Sequence, residues 1–142
     1  EALALTVDRI DFEAGVIIFW TLKKRTNGSH RAVPVSRQLL DELEKVHAVQ
    51  ERQRKREKTL LWPWCRMTGY RRVKEVMEQA GVEGPHATPK GLRHGFGVAA
   101  LERGVPLNML QKWLGHADMA TTAIYGNAVG LEERHIAERL WD

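Results

Sequence analysis

Residues Thr88 to Gly126 read TPKGLRHGFGVAALERGVPLNMLQKWLGHADMATTAIYG, and this stretch sets the fold class. Thr88 can cap a helix, and Pro89 suits a first helical position because its missing N–H would have had no partner there. Leu92, Phe96, Ala99 and Ala100 then recur at helical spacing before Gly104, which predicts a buried stripe. A second helix runs from Pro106 to Leu114 and ends at Gly115. Asp118 caps a third, short one that reaches Tyr125.

Upstream, Tyr70, Val73, Val76, Met77 and Ala80 mark another helix, stopped by Gly81. Ser36 caps a helix in which Leu39, Leu40, Leu43 and Val46 recur, continuing to a basic stretch. Val16 to Thr21 and Arg31 to Val35 are β-branched or aromatic, and Thr26-Asn-Gly-Ser29 between them supplies turn residues, so a hairpin is expected. Glu1-Ala-Leu-Ala-Leu5 reads as the last turns of an apolar helix, and Leu131 to Leu140 as a final helix. The expected class is mainly α with a small antiparallel β-sheet (α+β), folded as one domain over residues 1–142.

With 43% hydrophobic and 28% charged residues the composition is globular, and no apolar run approaches the roughly 18 residues of a membrane span. A lone cysteine, Cys65, excludes an internal disulfide and a cysteine-based zinc site, which fits a reducing cytoplasm. His86, His94 and His116 lack a carboxylate or cysteine at metal-ligand spacing, so no metal is expected. The net charge of +4 and pI near 9.5 tilt toward a polyanionic partner. The excess is uneven: Lys45, Arg52, Arg54, Lys55, Arg56 and Lys58 face only two acids between Lys45 and Lys58, a solvated helix end or a phosphate-binding strip.

Three motifs carry the chemistry: Thr88-Pro-Lys-Gly-Leu-Arg-His-Gly-Phe96, Trp113-Leu-Gly-His116 and Thr121-Thr-Ala-Ile-Tyr-Gly126. Together they resemble the C-terminal boxes of the tyrosine recombinases (phage integrase family). In that family a His-x-x-Arg helix is followed by Leu-Gly-His and, nine residues after its histidine, by a tyrosine nucleophile. His116 and Tyr125 are nine apart. The match extends over nearly the whole chain, since Leu3 to Phe12 and the hairpin ending in Ala32-Val-Pro34 also resemble the family's strand region.

The resemblance implies a site-specific recombinase that cleaves and rejoins duplex DNA through a 3′-phosphotyrosyl link, with no cofactor or metal. Tyr125 would be the nucleophile. Attack on a phosphodiester builds charge on the non-bridging oxygens, and a planar, permanently charged guanidinium is suited to that place, so Arg93 is its clamp. His116 would donate to a phosphate oxygen. Lys90, on the same helix face as Arg93, stands where the family usually has histidine and would donate to phosphate without accepting the tyrosine proton. Lys24, with Lys23 as the alternative, would protonate the leaving 5′ oxygen.

The resemblance also implies a homo-tetramer acting on two DNA sites, with the last helix docking in trans through Leu131, Ile136, Leu140 and Trp141. Cytoplasmic, nucleoid-associated action in a prokaryote or phage would follow. The family's first catalytic arginine lies just upstream of the glutamate that aligns with Glu1, so the chain is expected to be an N-terminally truncated catalytic domain without the upstream DNA-clamping domain. A non-catalytic DNA-binding remnant is the rival reading, and a type IB topoisomerase shares the chemistry but not usually the Leu-Gly-His box. His94 is read as a helix-packing residue, and Trp62 and Trp64 as core.

Overall fold

The computed structural model describes residues 1–21 and 29–126, which fall in two compact units, Glu1–Gly69 and Tyr70–Asp142. In the first unit a three-stranded antiparallel sheet forms from β1 (Ile10–Asp11), β2 (Val16–Thr21) and β3 (Ser29–Pro34), in that order. Ile17 pairs with Ile10 on one side and Val33 on the other, and the ladder runs from Val16↔Pro34 to Thr21↔Ser29. The two expected strands therefore pair, with an added edge strand, while Thr26, Asn27 and Gly28 of the expected turn lie outside the described residues. Gly15, at φ +67°, occupies the left-handed region at the turn between β1 and β2, where a side chain would be strained.

Helix α1 (Arg37–His47) begins as expected: the Ser36 side chain accepts from the Leu39 N–H. It ends at His47, inside the start of the basic stretch as expected, where Ala48 adopts a left-handed conformation (φ 47°, ψ 48°); a further short helix, α2 (Val49–Arg54), then lies within that stretch. Two interactions offset the strain of a non-glycine residue there. The Glu44 carboxylate accepts from the Gln50 N–H at 2.8 Å, and the break turns Val49 fully into the core. That core gathers Leu5, Val7, Ile10, Ile17, Leu40, Leu43, Val49 and Leu61, with Phe12, Phe19 and Trp62 packed on it. Trp64 remains 39% exposed, so the core reading holds for Trp62 alone.

Glu1 to Leu5 forms only a short 3-10 turn, Ala2–Ala4, rather than the end of an apolar helix. The backbone leaves the turn to pair with another segment: Val7 N–H donates to Thr59, and Leu61 N–H donates to Leu5.

Helix α3 (Arg66–Gln79) begins four residues before Tyr70, and of its expected stripe only Met77 is fully buried. The second unit then carries α4 (Pro89–Glu102), α5 (Leu107–Leu114) and α6 (Met119–Gly126). These helices pack on one another around Ala100, Leu110, Leu114 and Tyr125, with α6 against both α4 and α5. The stripe expected on α4 is rotated. Ala100 is buried as expected, but Leu92 and Phe96 are about half exposed and Gly97 faces inward instead, because small residues let α6 approach the helix closely. The final helix expected over 131–140 lies outside the described residues, as do Lys23 and Lys24.

Candidate active site

Arg93 reaches its place because Thr88 starts α4: the Thr88 hydroxyl accepts from the Gly91 N–H at 3.1 Å. Gly91 also admits the backbone of His86, whose carbonyl oxygen occupies the space a Cβ would need. One turn on, the half-buried Arg93 donates from Nη2 to the Leu114 carbonyl. That carbonyl belongs to the last turn of α5, where oxygens have no helical partner, so the guanidinium satisfies it and ties α4 to α5. An arginine has five N–H donors, so most of the fork remains for other partners. Lys90 lies one turn earlier and is exposed.

The chain leaves α5 through Gly115 at φ 69°, ψ 33°, a left-handed turn that glycine adopts without strain. The His116 N–H donates to the Gln111 carbonyl at 3.1 Å, and the Gln111 side-chain amide donates to the His116 carbonyl at 3.3 Å, so its backbone is held from two directions. Its ring is held as well. His116 Nδ1 lies 2.9 Å from Thr122 Oγ1, and the ring stacks on Tyr125 with centroids 6.1 Å apart and planes 18° apart.

Tyr125 stands on α6, which starts where the Asp118 carboxylate accepts from the Ala120 N–H. Its ring is 4% exposed, lies against Gly97 and also meets the His94 ring, with centroids 5.2 Å apart. The described residues form no hydrogen bond to its hydroxyl.

Arg93, His116 and Tyr125 thus come together within the second unit, from three different helices or helix ends, and Lys90 shares the helix of Arg93. No group of three potential ligands able to hold a metal ion occurs among the described residues. The model of the phage integrase family matches residues 1–129. The chain belongs to the phage integrase family.

Among curated members of the family, the chain is 32% identical to the tyrosine recombinase XerA of Pyrococcus furiosus, over 98% of this chain and 48% of that protein. It is 31% identical to the tyrosine recombinase XerD of Brucella abortus, over 93% of this chain and 43% of that one. The chain spans about half the length of the curated relatives it matches. Its fold is that of solved tyrosine recombinases. A crystal structure of XerA recombinase superposes with TM-score 0.73 at 23% identity, covering 95% of this chain and 52% of the other. The XerH recombinase bound to its palindromic difH substrate, in a post-cleavage complex, gives 0.74 at 23%, covering 99% and 41%.

Sequence reading left three contributors to the site without a part. Gly97 makes room for the tyrosine ring, Gln111 holds the His116 backbone, and Thr122 holds its ring. The signal for Thr122 was its position three residues before Tyr125, on the same face of α6. His94, read as a packing residue, does pack, but against Tyr125 and with part of its ring in solvent.

The basic stretch is less open than its charge count indicates. Lys55 pairs with Glu51 at 2.7 Å, which raises the lysine pKa and lowers that of the glutamate. Arg52 is held by Glu57 at 3.2 Å and by Thr59 and the Leu60 carbonyl. Arg54, Arg56 and Lys58 are exposed. No helix of the described residues is long and apolar enough to cross a membrane.

Proposed function

We propose that this chain is the catalytic part of a tyrosine recombinase that cleaves and rejoins duplex DNA. The Tyr125 oxygen bonds to the scissile phosphorus and the 5′ oxygen leaves, giving a 3′-phosphotyrosyl link. The phenolic proton departs to solvent, and the 5′ oxygen takes up a proton from Lys24, or from Lys23. Rejoining is the same exchange in reverse, with an incoming 5′ hydroxyl displacing the tyrosine. Arg93 and His116 donate to the non-bridging oxygens, where charge builds during both steps, and Lys90 adds a cation from the same face of α4 as Arg93.

The observation that carries this reading is the stacking of His116 on Tyr125 beside the Arg93 anchor at Leu114. A nucleophile and two phosphate donors then lie on helices or helix ends that pack on one another within one unit. Duplex DNA as the partner is supported by the XerH relatives, which were crystallised on difH DNA before and after cleavage. A homo-tetramer on two recombining sites, with the segment after Tyr125 docking on a neighbour, completes the assembly. Nucleoid-associated action in the cytoplasm follows from that substrate.

The test is a nicked suicide substrate that loses a short strand on cleavage. The full-length gene product is expected to become covalently attached to the 3′ end, and peptide mapping should place the link on Tyr125. The rival reading is a non-catalytic DNA-binding remnant. DNA binding without any adduct would support it over the enzyme.

A further inference from the structure

We propose that Thr122 is a positioning residue that fixes His116 in the tautomer bearing its proton on Nε2, the form that can donate from Nε2 to a phosphate oxygen. This rests on the recombinase reading for its function but not for its geometry.

Thr122 is fully buried, the one polar or charged residue that is so among the described residues. A hydroxyl carries a single proton and must place it. Among the described residues its hydrogen-bond partner is His116 Nδ1, at 2.9 Å. If Nδ1 carried the proton it would donate to the hydroxyl oxygen, and the threonine O–H would be left buried without an acceptor, at the desolvation cost of an unmade hydrogen bond. With Nδ1 as acceptor both groups are satisfied. A neutral imidazole whose Nδ1 accepts must carry its proton on Nε2.

The same helix face that orients the histidine also carries the nucleophile. Thr122 and Tyr125 are one turn apart on α6; the first holds an edge of the His116 ring and the second stacks on its face. Docking of α6 therefore delivers the tyrosine and sets the histidine in one event, and a chain with α6 displaced lacks both.

The experiment is a long-range ¹⁵N–¹H correlation spectrum of the histidine rings in the ¹⁵N-labelled 142-residue chain, with the His116 signals assigned by their loss in His116→Gln. The expected spectrum shows His116 Nδ1 unprotonated and Nε2 protonated. Thr122→Ser should retain that pattern, and Thr122→Val, which keeps the shape but not the hydroxyl, should give averaged or reversed tautomers. A protonated Nδ1 in the unsubstituted chain, or an unchanged pattern in Thr122→Val, would overturn the proposal. Should the valine variant fail to fold, the unsubstituted and serine spectra still decide the tautomer.

A second arm uses the full-length gene product and the suicide substrate. Thr122→Val should slow adduct formation about 10- to 100-fold at saturating DNA, as loss of a group that orients a ligand does, with DNA affinity unchanged. Thr122→Ser should stay near the original rate. Equal rates in all three proteins would remove Thr122 from the machinery. No adduct from the unsubstituted protein, with the tautomer pattern intact, would instead count against the recombinase reading alone.

Discussion

A Cβ on Gly97 would stand 3.0 Å from three carbons of the Tyr125 ring, so α4 is reduced to bare backbone where the ring lies against it. That close approach lets one helix present Arg93 and receive the tyrosine within little more than a turn. Gly97→Ala is expected to push the ring outward by a few tenths of an ångström and to destabilise the fold by about 1–3 kcal/mol, the usual cost of overpacking. Adduct formation should slow in step. Gly95→Ala is the control: no atom lies near its Cβ position, so it should be neutral or stabilising by about 0.5–1 kcal/mol, the helix preference for alanine. Thermal denaturation of the two variants checks the difference; equal melting temperatures would contradict it.

Arg93 has a structural and a chemical duty, and substitution should separate them. Arg93→Ala is expected to lower single-turnover cleavage by about 10²–10³, the cost of one preorganised donor. It also leaves the Leu114 carbonyl without its partner, at about 1 kcal/mol of stability. Arg93→Lys keeps a charge but not the fork, so it should fold well and still cleave poorly. Cleavage by Arg93→Lys at the unsubstituted rate would show that the planar fork is not needed.

Lys90 is exposed on the face of α4 that carries Arg93 and stands where the family usually has histidine. Lys90→His should keep or raise activity, and Lys90→Ala should lower it, because lysine and histidine can both donate to phosphate. Single-turnover rates on the suicide substrate decide the matter. If alanine cleaves as fast as lysine, the position has no part in the reaction.

How far the sequence could be read depended on whether a feature was local. The caps at Ser36, Thr88 and Asp118, the stops at Gly81 and Gly115, and the two paired strands are local, and all are present in the structure. What failed was tertiary. Leu92 and Phe96 have the spacing of a buried stripe, yet of that stripe Ala100 is the residue fully buried and Gly97 joins it, since close helix packing selects small residues over large apolar ones. Helix α2, within the basic stretch, has no glycine or proline before it to announce a new start at Ala48; it is set by burial of Val49 and by the Glu44 carboxylate accepting from the Gln50 N–H. At the candidate site, motif spacing singled out Tyr125, Arg93 and His116, which the structure brings together, whereas the contacts of Thr122 and Gly97 depend on packing that no spacing announces.

Local pairing also changes the expectation for DNA affinity. Binding to duplex of any sequence should weaken steeply with salt, and Arg54→Ala, Arg56→Ala and Lys58→Ala together should reduce the slope of log affinity against log salt by about 0.9 for each phosphate no longer neutralised. Lys55→Ala should change it little, because that ammonium is already paired with Glu51. Titrations at several salt concentrations test both. A larger effect from Lys55 than from the other three would contradict the pairing.

The most direct measurement is the covalent adduct formed by Tyr125→Phe in the full-length gene product on a nicked suicide substrate. The substitution removes one hydroxyl and keeps the ring that packs against Gly97 and His116, so folding and DNA binding should be almost unchanged. Tyr70, the second of the two tyrosines, lies on α3 outside every box of the site. Denaturing electrophoresis should show labelled DNA attached to the unsubstituted protein and none attached to Tyr125→Phe. A persistent adduct in the variant, or one mapped to Tyr70, would contradict the assignment of Tyr125 as nucleophile.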